Sequence, residues 1–203
     1  MNTKMIVPAI QQALGEQWQR LHPAVRRHYD ISAEGIDHLQ LNGTMYEVDH
    51  ASGVKPLMWI GRLFGALVPY RGRNLPVKVI NTARPGRSTL FWERHFHFPN
   101  KKPFRFISRM ENGKDNEIIE YVRYNLGIRM AMSERDGALC YESLGYRWDL
   151  GPLQLHIPDW LLLGKATIIE RGLDERTIEL SFDIRHPVFG RTFTYSGSFV
   201  LEG

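Results

Sequence analysis

Apolar and polar residues change their spacing along the chain, and each change predicts a different element. Residues 5–20 place Ile6, Ile10, Ala13, Leu14 and Trp18 at helical intervals, and His22-Pro23-Ala24-Val25-Arg26-Arg27-His28 reads as a second short helical turn with proline near its start. From residue 35 to 52 the pattern alternates, with Ile36, Leu39 and Leu41 before Asn42-Gly43 and Met45, Tyr46 and Val48 after it. That fits a hairpin or one long strand with a bulge. The run 57–68 returns to a helical period: Trp59, Leu63, Leu67, Ile60, Phe64, Leu57 and Val68 sweep a broad apolar face, and Gly61, Gly65, Met58, Arg62 and Ala66 a narrower one. Pro69 stops it.

Beyond Pro69 the chain reads as strands at 77–82, 89–98, 104–110, 117–125, 128–134, 138–149, 164–171, 177–185 and 192–201. Their bounds are turn signals such as Pro85-Gly86, Pro99-Asn100, Asn112-Gly113 and Asp136-Gly137, and such short links favour antiparallel neighbours. About ten strands exceed a comfortable open sheet. The predicted fold is therefore mainly β (α+β by content): about ten antiparallel strands forming a barrel or strongly curved sheet, with the apolar helix inserted early. That placement resembles fatty-acid-binding barrels, and no helix after Gly164 suits a helix-grip fold. The broad helical face, with Trp59, Leu63 and Phe64, is expected over the barrel mouth or inner sheet. A second apolar run, 157–163, is expected to pack over one end, the alternative being a loop that exposes Trp160. The chain is read as one domain, 1–203, with 1–21 as a loosely docked helical arm.

Composition narrows the classes. At 203 residues, 43% hydrophobic and 24% charged, the chain suits a single folded domain. Its one cysteine, Cys140, excludes an internal disulfide. No secretory leader or membrane-spanning run is evident, so a cytoplasmic location is expected. The net charge of +4 comes from basic residues scattered among acidic ones, with short clusters at Arg26-Arg27, Arg71 to Arg73 and Lys101-Lys102. This argues against nucleic acid as a partner.

The candidate chemistry sits on two strands. In 90–98 the even positions are Leu90, Trp92, Arg94, Phe96 and Phe98, so an inward aromatic face carries Arg94 with it. A buried guanidinium must meet a carboxylate, carbonyls or an anionic ligand. In 138–149 strict alternation puts Glu142 among Cys140, Leu144, Tyr146 and Trp148, as the mate of Arg94 or Arg147, or as a general acid or base with its pKa raised by burial. His95 and His97 share a face with Glu93 but lack an evident third ligand, so no metal and no cofactor are expected.

Several stretches together resemble the bacterial family called domain of unknown function 4166: 21–27, the apolar helix ending in Tyr70-Arg71-Gly72, Trp92 to Phe96, Leu144 to Trp148 continuing to Ile157 to Leu161, and Phe182-Asp183 running to Gly190 and Tyr195 to Gly197. The resemblance implies a compact bacterial domain that in some relatives follows a saccharopine-dehydrogenase-like reductase domain. The glycine-rich dinucleotide fingerprint of such a domain is missing from this sequence.

Three functions compete. The favoured one is a module binding an apolar or amphipathic, lipid-like small molecule with an acidic group, in a cavity lined by Trp92, Phe96, Tyr146, Arg147 and Trp148 and anchored at Arg94. The second is an enzyme using Glu142, with Arg94 or Arg147 holding an oxyanion. The third is a structural or regulatory partner domain of a reductase, docking through 1–21, 57–68 or 157–163, the last of which also suits peripheral membrane contact.

Overall fold

The structure, a computed structural model, describes residues 6–32, 37–65 and 67–202. The expectations placed on residues 1–5 of the arm, on Gly35 and Ile36, and on Ala66 lie outside the described residues.

The strands are β1 (His38–His50), β2 (Gly72–Thr82), β3 (Leu90–Phe96), β4 (Phe104–Asn112), β5 (Glu117–Tyr121), β6 (Leu126–Arg135), β7 (Ala138–Leu150), β8 (Leu153–Ile157), β9 (Lys165–Gly172), β10 (Thr177–His186) and β11 (Gly190–Leu201). They pair antiparallel in the order β6-β5-β4-β3-β2-β1-β11-β10-β9-β7, and β6 also pairs with β7. The sheet thus closes on itself as a ten-stranded barrel, with β8 added outside the ring on β7. The first four residues of β8 are all exposed, so it has no buried face for an apolar pattern to announce.

Residues 38–50 form one long strand. Asn42-Gly43 makes no turn because β11 passes close by: a Cβ on Gly43 would lie 2.3 Å from the Ser198 carbonyl oxygen. The irregularity falls instead between Met45 and Glu47, where Tyr46 is the extra residue of a bulge.

The barrel has two unlike ends. Helices α1 (Ala9–Leu14) and α2 (Pro23–Tyr29), joined by a 3-10 turn at Gly15–Arg20, cover the end formed by the β4–β5, β6–β7 and β9–β10 connections. Ile10, Leu14, Trp18, Val25 and Tyr29 are buried there. Backbone polar groups are matched across the contact: Asn112 Nδ2 donates to the Ala9 carbonyl at 2.8 Å, and the His22 amide to the Gly137 carbonyl at 2.9 Å. The loose arm of the sequence reading is a plug, because its thin apolar stripe has a barrel end to fill.

The other end carries α3 (Lys55–Phe64), which stops at Gly65, a left-handed C-cap with φ 65°, rather than at Pro69. Its orientation corrects the broad-face expectation. Met58 is buried and Leu57, Gly61 and Phe64 turn toward the barrel, whereas Trp59, Ile60 and Leu63 are exposed. A Cβ on Gly61 would meet the Leu67 side chain at 3.2 Å, and the Phe64 ring fixes the helix between Tyr124 and Trp148 at centroid distances of 5.9 and 5.4 Å. Residues 157–163 behave similarly. A 3-10 turn at Asp159–Leu161 leaves Trp160 and Leu161 exposed, and only Leu163 of its leucines is buried.

The plug should carry measurable stability. Ile10 is 1% exposed, so Ile10→Ala is expected to cost about 2–5 kcal/mol in urea unfolding, the range for emptying a packed site. A loosely docked arm would change the midpoint little.

Candidate functional site

Strand parity decides which side chains enter a barrel, unless a bulge intervenes. On β3, Leu90, Trp92, Arg94 and Phe96 are buried, and Glu93 and His95 lie on the outer side. The Arg94 guanidinium carbon lies 4.2 Å from the Trp92 ring centroid and 4.7 Å from that of Phe106. Arg94 Nη2 donates to Glu120 Oε1 at 2.7 Å, and Ser108 Oγ donates to the same oxygen at 2.6 Å. The two charged side chains retain 10% and 11% exposure.

Glu120 replaces Glu142 as the mate of Arg94. Sequence reasoning passes over it because all five residues of β5, Glu-Ile-Ile-Glu-Tyr, are buried and show no alternation. Glu142 is elsewhere because β7 bulges: Met130 pairs with Ser143 and Ile128 with Tyr146, so Arg129 of β6 opposes both Leu144 and Gly145 of β7. Gly145, at φ 100°, absorbs the extra residue. Tyr141 and Ser143 face in below the bulge and Tyr146 and Trp148 above it. Glu142 therefore points outward, where Lys165 Nζ and Arg135 Nη2 donate to its two oxygens at 3.1 and 2.9 Å and hold its pKa below the usual carboxylate range. Arg147 also lies outside, its Nε donating to Asp149 Oδ1 at 2.7 Å.

The bulge also seats the 159–161 turn. Ser143 Oγ donates to Asp159 Oδ2 at 2.9 Å and accepts from the Ala166 amide at 2.8 Å. Burial raises the Asp159 pKa.

Above the Arg94–Glu120 pair lies a cavity of about 370 Å³, bounded by Phe96, Tyr146, Trp148, Phe182 and Tyr195 on the barrel side and by Leu57, Ile60, Gly61 and Phe64 on α3. Small-molecule sites run about 300–1,000 Å³. Ile60 belongs to this wall and is also exposed. Met130 lines it as well.

A second chamber of about 50 Å³ adjoins the first, and Arg94, Phe96, Glu120, Ile168 and Tyr195 line both. Trp92 belongs to this chamber and not to the larger one. Here Tyr141 Oη donates to Tyr29 Oη at 2.8 Å, and Tyr29 Oη donates to Glu170 Oε1 at 2.7 Å. Burial first, and then the nearby Glu170 carboxylate, pushes both phenol pKa values well above their usual position, so both phenols stay protonated at neutral pH. Trp92 Nε1, both ring nitrogens of His28 and Glu170 Oε2 are buried without a hydrogen-bond partner among the described residues. His28 Nδ1 lies 3.3 Å from Glu170 Oε2 but is misaligned for a hydrogen bond. Tyr29 and His28 arrive on α2, and Glu170 on β9; none belongs to a motif, and only the fold brings them together.

His95 and His97 are not inside. His95 Nε2 lies 2.6 Å from Glu93 Oε1 on the outer wall, and His97 is exposed. His186 caps its turn, Nδ1 accepting from the Val188 amide at 3.1 Å.

Residues 21–199 match the family described as Domain of unknown function (DUF4166). The chain belongs to this family. Every residue named around the two chambers, from His28 on α2 to Tyr195 on β11, falls within the DUF4166 span, whereas α1 precedes it. The chain is also similar to the uncharacterized protein YndH of Bacillus subtilis (strain 168), 27% identical over 194 residues that cover 90% of this chain and 91% of that one.

Two outcomes follow from the ion pairs. Glu120→Leu strands the Arg94 charge in the interior and is expected to cost about 3–5 kcal/mol, whereas Arg94→Met with Glu120→Leu recovers most of that loss; denaturant unfolding of the cycle measures both. For Glu142 the folded pKa is lowered, so its pair's contribution is present above the unfolded carboxylate pKa and is lost as pH falls through the lower folded value. NMR titration should find Glu142 ionising below the ordinary range, and Glu142→Gln should remove that acid-side loss without unfolding the protein at neutral pH.

Proposed function

We propose that this barrel binds an apolar small molecule whose tail fills the 370 Å³ chamber and whose single polar group reaches the Arg94–Glu120 pair and the smaller chamber. The observation that carries this reading is the junction of an aromatic and aliphatic void with a floor of buried polar atoms that lack partners, Trp92 Nε1 and Glu170 Oε2 among them. Apolar pockets with a few convergent polar groups are the usual form of a small-molecule site. At about 30 Å³ per water in the liquid, the small chamber suits one or two waters or a compact head group.

The pairing of Arg94 changes the expected head group. An acidic group needs an unmatched cation, but in this floor the Arg94 guanidinium is already paired with Glu120, and the Glu170 carboxyl stands beside the His28 imidazole. A neutral head that both donates and accepts, such as a hydroxyl or a primary amide, fits this set better than a carboxylate. The enzymatic reading through Glu142 has no support from its position, because that side chain faces away from the cavity.

Native mass spectrometry of the purified protein, with extraction of any adduct, tests occupancy directly. Displacement of a fluorescent apolar probe by a matched alcohol, amide and acid then tests the head group: the alcohol or amide is expected to compete at least about tenfold better than the acid, given the cost of burying an unmatched charge. Ile128→Trp, which pushes a larger ring into the bigger chamber, is expected to weaken probe binding severalfold without lowering the melting temperature. Equal probe binding by that variant would remove the proposal.

A further inference from the structure

The exposed apolar side chains are concentrated at one end of the barrel. At the α3 end, Trp59 and Leu63 are 70% and 62% exposed, Tyr124 on the β5–β6 connection 69%, Trp160 on the β8–β9 connection 60%, and Phe189 on the β10–β11 turn 66%. They form neighbouring parts of one rim. Phe64 joins α3 to Tyr124, and His186 joins the other two segments, its Nε2 lying 2.7 Å from the Trp160 carbonyl and its ring 4.6 Å from that of Phe189. Leu57 and Ile60 of α3 and Leu162 of the β8–β9 connection line the cavity, so the rim encircles its outer end.

Charge is divided in the same way. The strand connections at this end contain Lys55, Arg62, Arg71, Lys101, Lys102 and Arg123, against a single acidic residue, Asp159, which is turned in to Ser143. At the opposite end Arg84, Arg87, Lys114 and Arg176 are balanced by Asp115, Asp136, Asp174 and Glu175. Acidic residues near the rim on the strands have their own cations: Asp49 pairs with Arg71, Glu47 with Arg73, Glu93 with Arg105, Asp149 with Arg147, Glu142 with Lys165 and Asp183 with Arg191. Among the described residues this leaves Lys55, Arg62, Lys101, Lys102 and Arg123 as positive charge without an acidic partner at the end that carries Trp59 and Trp160.

We propose that the α3 rim docks on an anionic lipid bilayer, with Trp59, Leu63 and Trp160 entering the interface and Arg62, Arg123 and Lys55 among the phosphates. A surface for water alone has no use for two tryptophans in this setting, and a basic rim around apolar side chains is the complement of an anionic headgroup layer. Tryptophan and tyrosine suit the boundary between headgroup and acyl chain. The contact is confined to the rim because the barrel wall carries ion pairs such as Glu93–Arg105 and Glu142–Lys165, which a lipid-facing wall would bury at high cost. In this orientation the cavity faces the acyl layer behind Ile60 and Phe64. The docking follows from the rim alone and holds whether or not the cavity takes a ligand.

Co-sedimentation with vesicles of phosphatidylcholine, alone or mixed with phosphatidylglycerol, tests the proposal. Binding is expected only to the mixed vesicles and should weaken as salt rises. Brominated acyl chains should quench tryptophan fluorescence, because Trp59 and Trp160 are exposed whereas Trp18 and Trp92 are buried. Arg62→Glu with Arg123→Glu, and separately Trp59→Ser with Leu63→Ser, should each reduce binding by roughly tenfold or more. Arg84→Glu with Arg87→Glu, at the plugged end, should leave it unchanged, and circular dichroism confirms that each variant is folded. Binding to both vesicle types alike, no binding to the mixed vesicles, or an equal loss in the Arg84/Arg87 variant would overturn the proposal. So would a dimer by light scattering that Trp59→Ser dissociates, since the face would then belong to a second copy.

Discussion

Closing ten strands into a ring leaves no edge strand within it, because every one of the ten is paired on both sides. The same closure sets two further conditions. An eight-stranded barrel is just wide enough for side chains to fill, so a ten-stranded one retains space at its axis unless something else occupies it. The ring also has two open ends, each of which must be covered. This molecule covers one with the α1–α2 plug and the other with α3, and the interior between them divides into a polar lower part and an apolar upper one.

The two covers differ in how firmly they are held. The plug buries Ile10, Leu14, Trp18, Val25 and Tyr29 and is tied by hydrogen bonds to the barrel's own turns. Of α3 only Met58 is buried, and its position rests on Phe64 between two aromatic rings. Few buried apolar contacts mark the segments of a protein that open at low free energy. A molecule reaching the cavity would meet least resistance past α3.

Much of this was legible in the sequence, and the losses have physical causes. Alternation revealed the strands and the inward side of Leu90 to Phe96, since β3 has no bulge and one face is buried throughout. It misassigned Glu142 because the bulge at Leu144-Gly145 switches which residues face inward, and a glycine inside a strand does not state which way the register slips. It passed over Glu120 because both faces of β5 are covered. The period of residues 57–68 was helical through Phe64, but amphipathicity does not reveal whether the larger apolar face meets the barrel. Here the face with Met58 and Gly61 does, and Trp59 and Leu63 are left exposed. The joining of His28, Tyr29, Tyr141 and Glu170 was illegible in principle, being a product of the plug's docking.

The buried pair explains why the polar floor can lie so deep. An isolated guanidinium in this interior would be strongly disfavoured, and Arg94 cannot escape by losing its proton. Glu120, Ser108 and the faces of Trp92 and Phe106 together compensate it. Such a cluster gives less stability than an apolar replacement of similar volume often would, and buried polar groups can instead specify one arrangement. In this barrel the arrangement so specified is a rigid polar end to an otherwise apolar chamber. Under the proposed reading, an apolar molecule with one polar group would enter with its polar end toward the plug and its tail toward α3. The asymmetry of the covers and the asymmetry of the interior run along the same axis, so the end that opens more easily is the end where an apolar tail would emerge.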